Sequence, residues 1–152
     1  MAQGEEERRR RFWDETELVV GALIEVHRRL GPGLLESAYE TCLCRELALR
    51  DLSFERQRDL PVSYKGALLN CGYRVDVVVR DCILVELKAV ERLLPIHVAQ
   101  VITYLRLSGL PVGLLVTFNV RALKNGLRRL WLPDPQPPSF SPPLPVNLSS
   151  VP

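Results

Sequence analysis

Cysteine and histidine are too few and too scattered in this chain to predict a zinc or iron–sulfur site. The 152 residues include four cysteines and two histidines, and no pair of cysteines has the Cys-x-x-Cys spacing of such sites. Cys42 and Cys44 lie two residues apart in a helical pattern, so their side chains do not face each other. The cysteines are therefore predicted to be reduced thiols.

Long apolar runs and a strong net charge are also missing. No apolar run reaches the roughly 20 residues of a membrane-spanning helix, and the charged start of the chain lacks the apolar core of a secretory signal. We therefore expect a cytoplasmic protein with no membrane partner. The formal net charge of +2 does not by itself indicate nucleic-acid binding, so a basic binding surface would have to be local.

What is present is typical of one globular domain between two extensions. Hydrophobic residues make up 47% of the sequence and charged residues 25%, which are ordinary values for a soluble domain. We predict a charged N-terminal extension at residues 1–13, either solvated or disordered, with an interaction arm as the alternative. The folded domain is predicted at residues 14–132, followed by a Pro-rich disordered tail at residues 133–152.

Hydrophobic periodicity and turn residues predict an α/β fold, a mixed sheet flanked by helices. The predicted elements are, in chain order, helices at 14–30 and 35–50, a strand at 54–64, a hairpin within 72–89, a helix at 95–107, and strands at 112–118 and 127–132. Pro61 marks an edge, bend or bulge in the first strand. The second hairpin strand, the helix after it and the strand at 112–118 predict a right-handed crossover between two parallel strands.

Two helix faces are also predicted from the residue pattern. In the second helix, Leu35, Tyr39, Leu43 and Leu47 are expected to form one apolar stripe. In the first helix, His27 is expected on the outer face, together with the charged residues around it.

The central hairpin carries charged residues at positions where a buried strand normally has Val or Ile. Asp76, Glu86 and Lys88 interrupt otherwise apolar strands. Because burying an unpaired carboxylate costs several kcal/mol, something must compensate these charges. From the pattern alone, two explanations stay open: a structural ion-pair cluster, or a site that binds a cation.

The length of the hairpin loop decides whether these charges meet. Residues two apart in a strand share a face, so Glu86 and Lys88 point the same way. A three-residue loop at 80–82 sets Asp76 opposite Glu86, whereas a two-residue loop would send the two carboxylates to opposite faces. We predict the three-residue loop. It gathers both carboxylates, Lys88 and Arg74 into one patch that suits a divalent cation and an anionic substrate.

The ordered motifs of the chain resemble the PD-(D/E)XK nuclease superfamily. Asp76, the triplet Glu86-Leu87-Lys88, and Gln100 and Tyr104 on the next helix are similar to its metal-site pattern and to the QxxxY helix of its RecB-like branch. More closely, Gly33-Leu-Leu-Glu36-Ser-Ala-Tyr39 matches the signature that names the GxxExxY protein family. Further segments similar to that family lie at residues 54–57, 61–66, 73–76, 85–90 and 95–100, so the resemblance covers about residues 14–131.

The resemblance implies a divalent-metal-dependent nuclease with a restriction-endonuclease-like core, acting on DNA or RNA. The implied ligands of Mg²⁺ or Mn²⁺ are Asp76, Glu86, the backbone carbonyl of Leu87, and Glu36 as an extra ligand or a partner of a metal-bound water. Lys88 is implied to orient or activate the attacking water and to stabilise charge on the phosphate. The alternative for Glu36 is compensation of the helix dipole in the first turn.

The remaining candidate residues surround this implied site. The resemblance implies that Gln100 holds Lys88 or a metal-bound water and that Tyr104 contacts the substrate backbone, although a packed, hydrogen-bonded tyrosine is the alternative. Arg74 and Lys65 are expected along a phosphate path, or exposed for solubility alone. His97 is expected at the rim of the site.

Two other functions stay open beside a nuclease. One is a non-catalytic or regulatory nucleic-acid-binding module on the nuclease fold, and the other is a phosphoesterase of small nucleotides. With no separate binding domain in the sequence, target choice is expected to come from this domain, from a second copy in a homodimer, or from another protein.

Overall fold

The computed structural model describes residues 2–132 as a five-stranded sheet between two helical layers. Its elements are, in chain order, α1 (Ala2–Leu30), α2 (Glu36–Leu49), β1 (Phe54–Asp59), β2 (Val62–Tyr64), β3 (Ala67–Leu69), β4 (Arg74–Val79), β5 (Ile83–Lys88), α3 (Pro95–Ser108), β6 (Val112–Thr117), a short 3-10 helix (Leu123–Gly126) and β7 (Leu127–Trp131). The predicted α/β class is confirmed. The tail predicted at 133–152 lies outside the described residues.

The main sheet has the strand order β1-β4-β5-β6-β7, and β2 and β3 form a separate two-stranded ribbon. Strands β5 and β6 are parallel and connected through α3, whereas the other neighbours in the main sheet are antiparallel. The predicted parallel crossover is therefore confirmed. All six residues of β6 are buried, because helices cover both faces of this central strand, and β7 forms one edge of the sheet.

The register of the β4–β5 hairpin is the predicted one. Val79 pairs with Ile83, Val78 with Leu84 and Val77 with Val85, which leaves a three-residue loop at 80–82. The paired residues end at Val77 and Val85, and Asp76 and Glu86 follow directly beyond them on the two strands.

Two apolar cores cover the two faces of the sheet. Helices α1 and α2 pack on one face, where Leu23 and Leu43 meet the buried side chains of Val77 and Val85. Helix α3 packs on the other face with its own set of valines and leucines. Gly113 on β6 permits the close approach of α3, since a Cβ at this position would lie 2.8 Å from Cγ1 of Val101.

The ends of several elements differ from the prediction. Helix α1 begins at Ala2 rather than near residue 14, and residues 2–11 are its exposed first turns. Its side chains at Phe12 and Trp13 lie with their ring centroids 5.6 and 6.2 Å from that of Trp131. These aromatic contacts anchor the base of the extension to β7.

The single strand predicted at 54–64 is wrong. It is two strands, β1 and β2, and they separate at Leu60 and Pro61. Proline has no N–H for a sheet ladder, so the chain leaves the main sheet here and makes the β2–β3 ribbon.

Two predicted helix faces also need correction. Leu35 precedes α2 in an extended conformation and is 76% exposed, so the apolar stripe begins at Tyr39. His27 is buried rather than on the outer face, and its Nε2 lies 2.8 Å from the carbonyl oxygen of Val120. Within residues 2–132, no helix has the length and apolar character needed to cross a membrane.

Candidate active site

The charged residues of the central hairpin meet where β4 begins and β5 ends. Oδ2 of Asp76 accepts a hydrogen bond of 2.9 Å from the backbone N–H of Leu87, and the N–H of Asp76 donates to Oε1 of Glu86 at 3.4 Å. Nζ of Lys88 lies 3.5 Å from Oε2 of Glu86, whose side chain is only 5% exposed. The structure thus brings Asp76, Glu86 and Lys88 together, as their register requires.

These carboxylates carry more negative charge than Lys88 alone offsets. Burial, followed by the charge of the adjacent Asp76, raises the pKa of Glu86 to about 8, although Lys88 opposes the rise. Burial also raises the pKa of Asp76, and the charges of Glu40 and Glu36 act in the same direction, while the Leu87 N–H opposes them. The site is therefore short of positive charge.

Helix α3 forms one wall of the site, and that wall holds the lysine. Nζ of Lys88 donates to Oε1 of Gln100 at 3.1 Å, and Nε2 of Gln100 donates to the hydroxyl oxygen of Tyr104 at 2.9 Å. Residues 100 and 104 share a face of the helix because they are four apart. The Tyr104 ring is largely buried, with its centroid 6.1 Å from that of Tyr73. This wall, the α3 wall, consists of neutral polar groups.

Helix α2 forms the opposite wall, and that wall is acidic. Glu36 lies in the first turn of α2, where its Oε1 accepts a hydrogen bond of 3.2 Å from the N–H of Ala89, just after β5. An open cleft lies beside it, lined by Glu36, Ser37, Glu40, Gln57, Asp76 and Leu87. We call Glu36, Glu40 and Gln57 the α2 wall. Two carboxylates of this wall thus approach Asp76.

The loop before α2 is locked by Tyr39. The hydroxyl of Tyr39 donates to the carbonyl oxygen of Gly31 at 2.6 Å and accepts from the N–H of Leu34 at 3.1 Å. Its ring stacks on Phe118 with the centroids 4.1 Å apart. The loop also uses Gly33 at φ 101°, which other residues rarely adopt. Tyr39 therefore packs against Phe118 and hydrogen-bonds the loop, and these contacts fix the position at which α2 begins.

Asn119, just after β6, ties this loop to the end of β5. Its Oδ1 accepts a hydrogen bond of 2.8 Å from the N–H of Gly33, and its Nδ2 donates to the carbonyl oxygen of Ala89 at 2.9 Å. One side chain thus fixes the distance between the start of α2, which carries Glu36, and the strand end that carries Lys88.

Three residues around the site were not found by sequence reasoning: Glu40, Gln57 and Asn119. Glu40 is buried and accepts hydrogen bonds from Arg56 at 2.8 Å and Gln57 at 2.5 Å. Its position one helical turn after Glu36 was a usable signal. Gln57 and Asn119 offered none, because their roles depend on strand pairing and on a loop contact between distant parts of the chain.

Three residues that were predicted to contact the substrate form contacts away from Asp76 and Glu86. Arg74 forms an exposed ion pair with Asp59 at 3.0 Å. Nδ1 of His97 accepts a hydrogen bond of 3.0 Å from the N–H of Leu94, which caps the start of α3. Lys65 lies in the turn of the β2–β3 ribbon, with its Nζ 5.5 Å from the ring centroid of Tyr64. The structure does not bring these three side chains onto the carboxylates.

The donor set at the strand ends fits a hard divalent cation. In residues 2–132 no three Asp, Glu, His or Cys side chains already converge in a complete ligand set. Mg²⁺, however, usually keeps several waters and needs only one or two carboxylates. Asp76 and Glu86 supply such oxygens beside a lysine, and a cation would offset their excess negative charge. The N–H of Leu87 holds Asp76, while ligation by its carbonyl stays a prediction.

A mixed sheet with two carboxylates and a lysine at the end of its central hairpin defines a restriction-endonuclease-like α/β fold. A family model of the PD-(D/E)XK nuclease superfamily matches residues 13–130, and the chain belongs to that superfamily. The match runs from within α1 to the last strand and includes both walls of the site. Comparisons with curated proteins and with solved structures gave no match.

Proposed function

We propose that the protein is a divalent-metal-dependent nuclease of the GxxExxY type, which hydrolyses phosphodiester bonds of DNA or RNA. The observation that carries the proposal is the arrangement of Lys88 between Glu86 and Gln100, with Asp76 held next to Glu86 by the backbone N–H of Leu87. A structural ion-pair cluster would pair its charges evenly. Here Glu40 is paired with Arg56, but the buried Glu86 has only Lys88 as an ion-pair partner and the half-buried Asp76 has no ion-pair partner among residues 2–132.

Asp76 and Glu86 would hold Mg²⁺ or Mn²⁺, with Glu36 next to them at the start of α2. The bound ion would lower the pKa of a water and neutralise charge that develops on the phosphate. The carboxylates do not need to act as acids, because their task is to bind the ion in the ionised form.

Lys88 would act on the reacting groups themselves. Its ammonium is held from two sides, by Oε2 of Glu86 at 3.5 Å and by Oε1 of Gln100 at 3.1 Å. A third N–H of the ammonium is then available to orient the attacking water or to donate to a phosphate oxygen. A fixed positive charge at this position stabilises the negative charge of the transition state without reorganising.

The test is cleavage of single- and double-stranded DNA and RNA by the purified protein in Mg²⁺, in Mn²⁺ and in a chelator. We expect metal-dependent cleavage that falls at least about 100-fold in Asp76→Asn. Asp81→Asn is the matched control, because Asp81 lies exposed in the loop at the opposite end of the same hairpin. Failure to cleave any of the four polymers with either metal, or full activity in Asp76→Asn, contradicts the proposal.

A further inference from the structure

One residue of β1 departs from the extended conformation of its strand. Gln57 has a φ of 51°, in the left-handed region that glutamine rarely adopts. Its neighbours Arg56 and Arg58 pair with Val77 and Val75 of β4 in one continuous register, so no extra residue is inserted here. Gln57 therefore lies at the position opposite Asp76.

The unusual backbone changes where the Gln57 side chain goes. In a regular strand, adjacent side chains point to opposite faces of the sheet. Arg56 and Gln57 nevertheless reach the same carboxylate on α2: Nη2 of Arg56 lies 2.8 Å from Oε2 of Glu40, and Nε2 of Gln57 lies 2.5 Å from Oε1. The left-handed conformation thus directs Gln57 into the α2 wall.

In this position the Gln57 amide stands between two carboxylates. Its Nε2 donates to Glu40 and also lies 3.5 Å from Oδ1 of Asp76. An amide NH₂ carries two hydrogens, so one group serves both acceptors. The other oxygen of Asp76 is held by the N–H of Leu87. Both oxygens of Asp76 thus have a defined donor, and Glu40 is kept from facing Asp76 directly.

We propose that Gln57 is a positioning residue of the metal site: its amide separates Glu40 from Asp76 and fixes the orientation in which Asp76 presents its carboxylate to a divalent cation. The expected change in kcat rests on the proposed nuclease function. The expected change in Mn²⁺ affinity rests only on metal binding at Asp76. Strained backbone persists where surrounding contacts hold it, and it clusters at functional sites. At Gln57 the holding contacts are its hydrogen bond to Glu40 and the strand pairing of the residues on either side of it.

Replacing Gln57 with glycine separates this role from a merely structural one. Gln57→Gly removes the amide and also relieves the backbone, because glycine adopts positive φ freely. If Gln57 only supported the fold, this replacement would leave Mn²⁺ affinity and kcat unchanged. Arg80→Gly is the matched control, since Arg80 has a φ of 53°, is exposed and lies in the loop far from the site.

The measurements are the thermal midpoint, Mn²⁺ affinity by calorimetry, and kcat and KM on an oligonucleotide. For Gln57→Gly we expect an unchanged or higher midpoint, about ten-fold weaker Mn²⁺ binding, and a kcat lower by about ten- to a hundred-fold with little change in KM. Arg80→Gly is expected to match the wild type in Mn²⁺ affinity and in both kinetic constants.

A second variant covers the case in which Gln57→Gly does not fold. Gln57→Met keeps the length of the side chain but has no N–H, and we expect the same losses. Wild-type Mn²⁺ affinity in a folded Gln57→Gly or Gln57→Met variant overturns the proposal.

The two proposals fail separately. If the wild type cleaves no nucleic acid but still binds Mn²⁺ more tightly than the Gln57→Gly variant, the nuclease function fails and the positioning role stands. If the wild type cleaves and the variant has the same kcat, the nuclease function stands and the positioning role fails.

Discussion

The two walls of the site differ in charge and in how the chain builds them. The α3 wall is neutral and comes from one stretch of helix, where Gln100 and Tyr104 follow each other at four-residue spacing. The α2 wall is acidic and combines α2 with the next element, β1, through Glu40 and Gln57. The difference teaches that one wall orients the lysine while the other concentrates negative charge for a cation. Variants that separate these two tasks test the comparison.

The largest effect that separates the walls is expected from Lys88→Met. Turnover should fall on the order of 100- to 1000-fold, because the site loses the charge that stabilises the transition state. Mn²⁺ affinity, measured by calorimetry, should be unchanged or higher, because a positive charge next to the carboxylates is gone. A parallel loss of metal binding and turnover would contradict the division between the walls.

A smaller effect is expected from Gln100→Leu, which removes both hydrogen bonds of the α3 wall but keeps a similar shape. Without its acceptor, Lys88 is less well oriented, and kcat should fall about ten-fold while Mn²⁺ affinity stays the same. Thr103→Val is the control, because Thr103 is on the exposed side of the same helix. A change in Mn²⁺ affinity in Gln100→Leu would show that the α3 wall also contributes to metal binding.

The buried carboxyl group of Glu86 predicts a pH dependence of stability in the metal-free protein. Burial and Asp76 raise the pKa of Glu86 to about 8 in the folded chain, from an ordinary value of 4.5. The folded state therefore holds this proton more tightly than the unfolded state, so the free energy of unfolding should fall as the pH rises from about 4.5 towards 8. We expect the thermal midpoint in a chelator to drop by several degrees between pH 5 and pH 8.

Two measurements complete the pH experiment. Added Mg²⁺ should reduce the drop, since a cation favours the ionised carboxylates, and Glu86→Gln should weaken it without metal. If the thermal midpoint in the chelator rises between pH 5 and pH 8, the raised pKa of Glu86 is contradicted.

The smallest effect is expected from Arg74→Ala, outside both walls. Its ion pair with Asp59 is exposed on both sides, so the free energy of unfolding should change by less than about 1 kcal/mol. If Arg74 lies on the path of the substrate, KM should rise a few-fold with kcat unchanged. Asp59→Asn serves as the control, because it breaks the same ion pair and leaves the arginine. An equal rise in KM in both variants would remove Arg74 from the substrate path.

The α3 wall and the central hairpin were predictable because their order is local. Parity along two strands and the length of one loop determine whether Asp76 and Glu86 share a face, and a helical period places Gln100 beside Tyr104. The position of the Gln57 side chain, in contrast, depends on how β1 packs against α2. Nothing in the sequence near Gln57 indicates a left-handed conformation, since that conformation is held by Glu40 on another element.

Other differences have the same origin. His27 looks like part of a charged helix face, yet the loop after β6 covers it and its ring meets the Val120 carbonyl. The charged N-terminal segment has no apolar stripe of its own, and it is helical because α1 continues through it and is anchored at Phe12 and Trp13. Pro61 is predicted to mark an edge, bend or bulge in one strand, but the strand ends before it, because the following residues pair with β3 instead of with the main sheet.

The contact made by Asn119 also bears on how the site is assembled during folding. The β4–β5 hairpin is local and can form early, and it already carries Asp76, Glu86 and Lys88. The loop that leads into Glu36 is tied at the N–H of Gly33 to Asn119, 86 positions further along the chain than Gly33. Such a contact closes a long loop and forms slowly. A chain that ends before β6 would contain all the carboxylates of the site and Lys88, but it would lack the tie that Asn119 makes between Gly33 and Ala89.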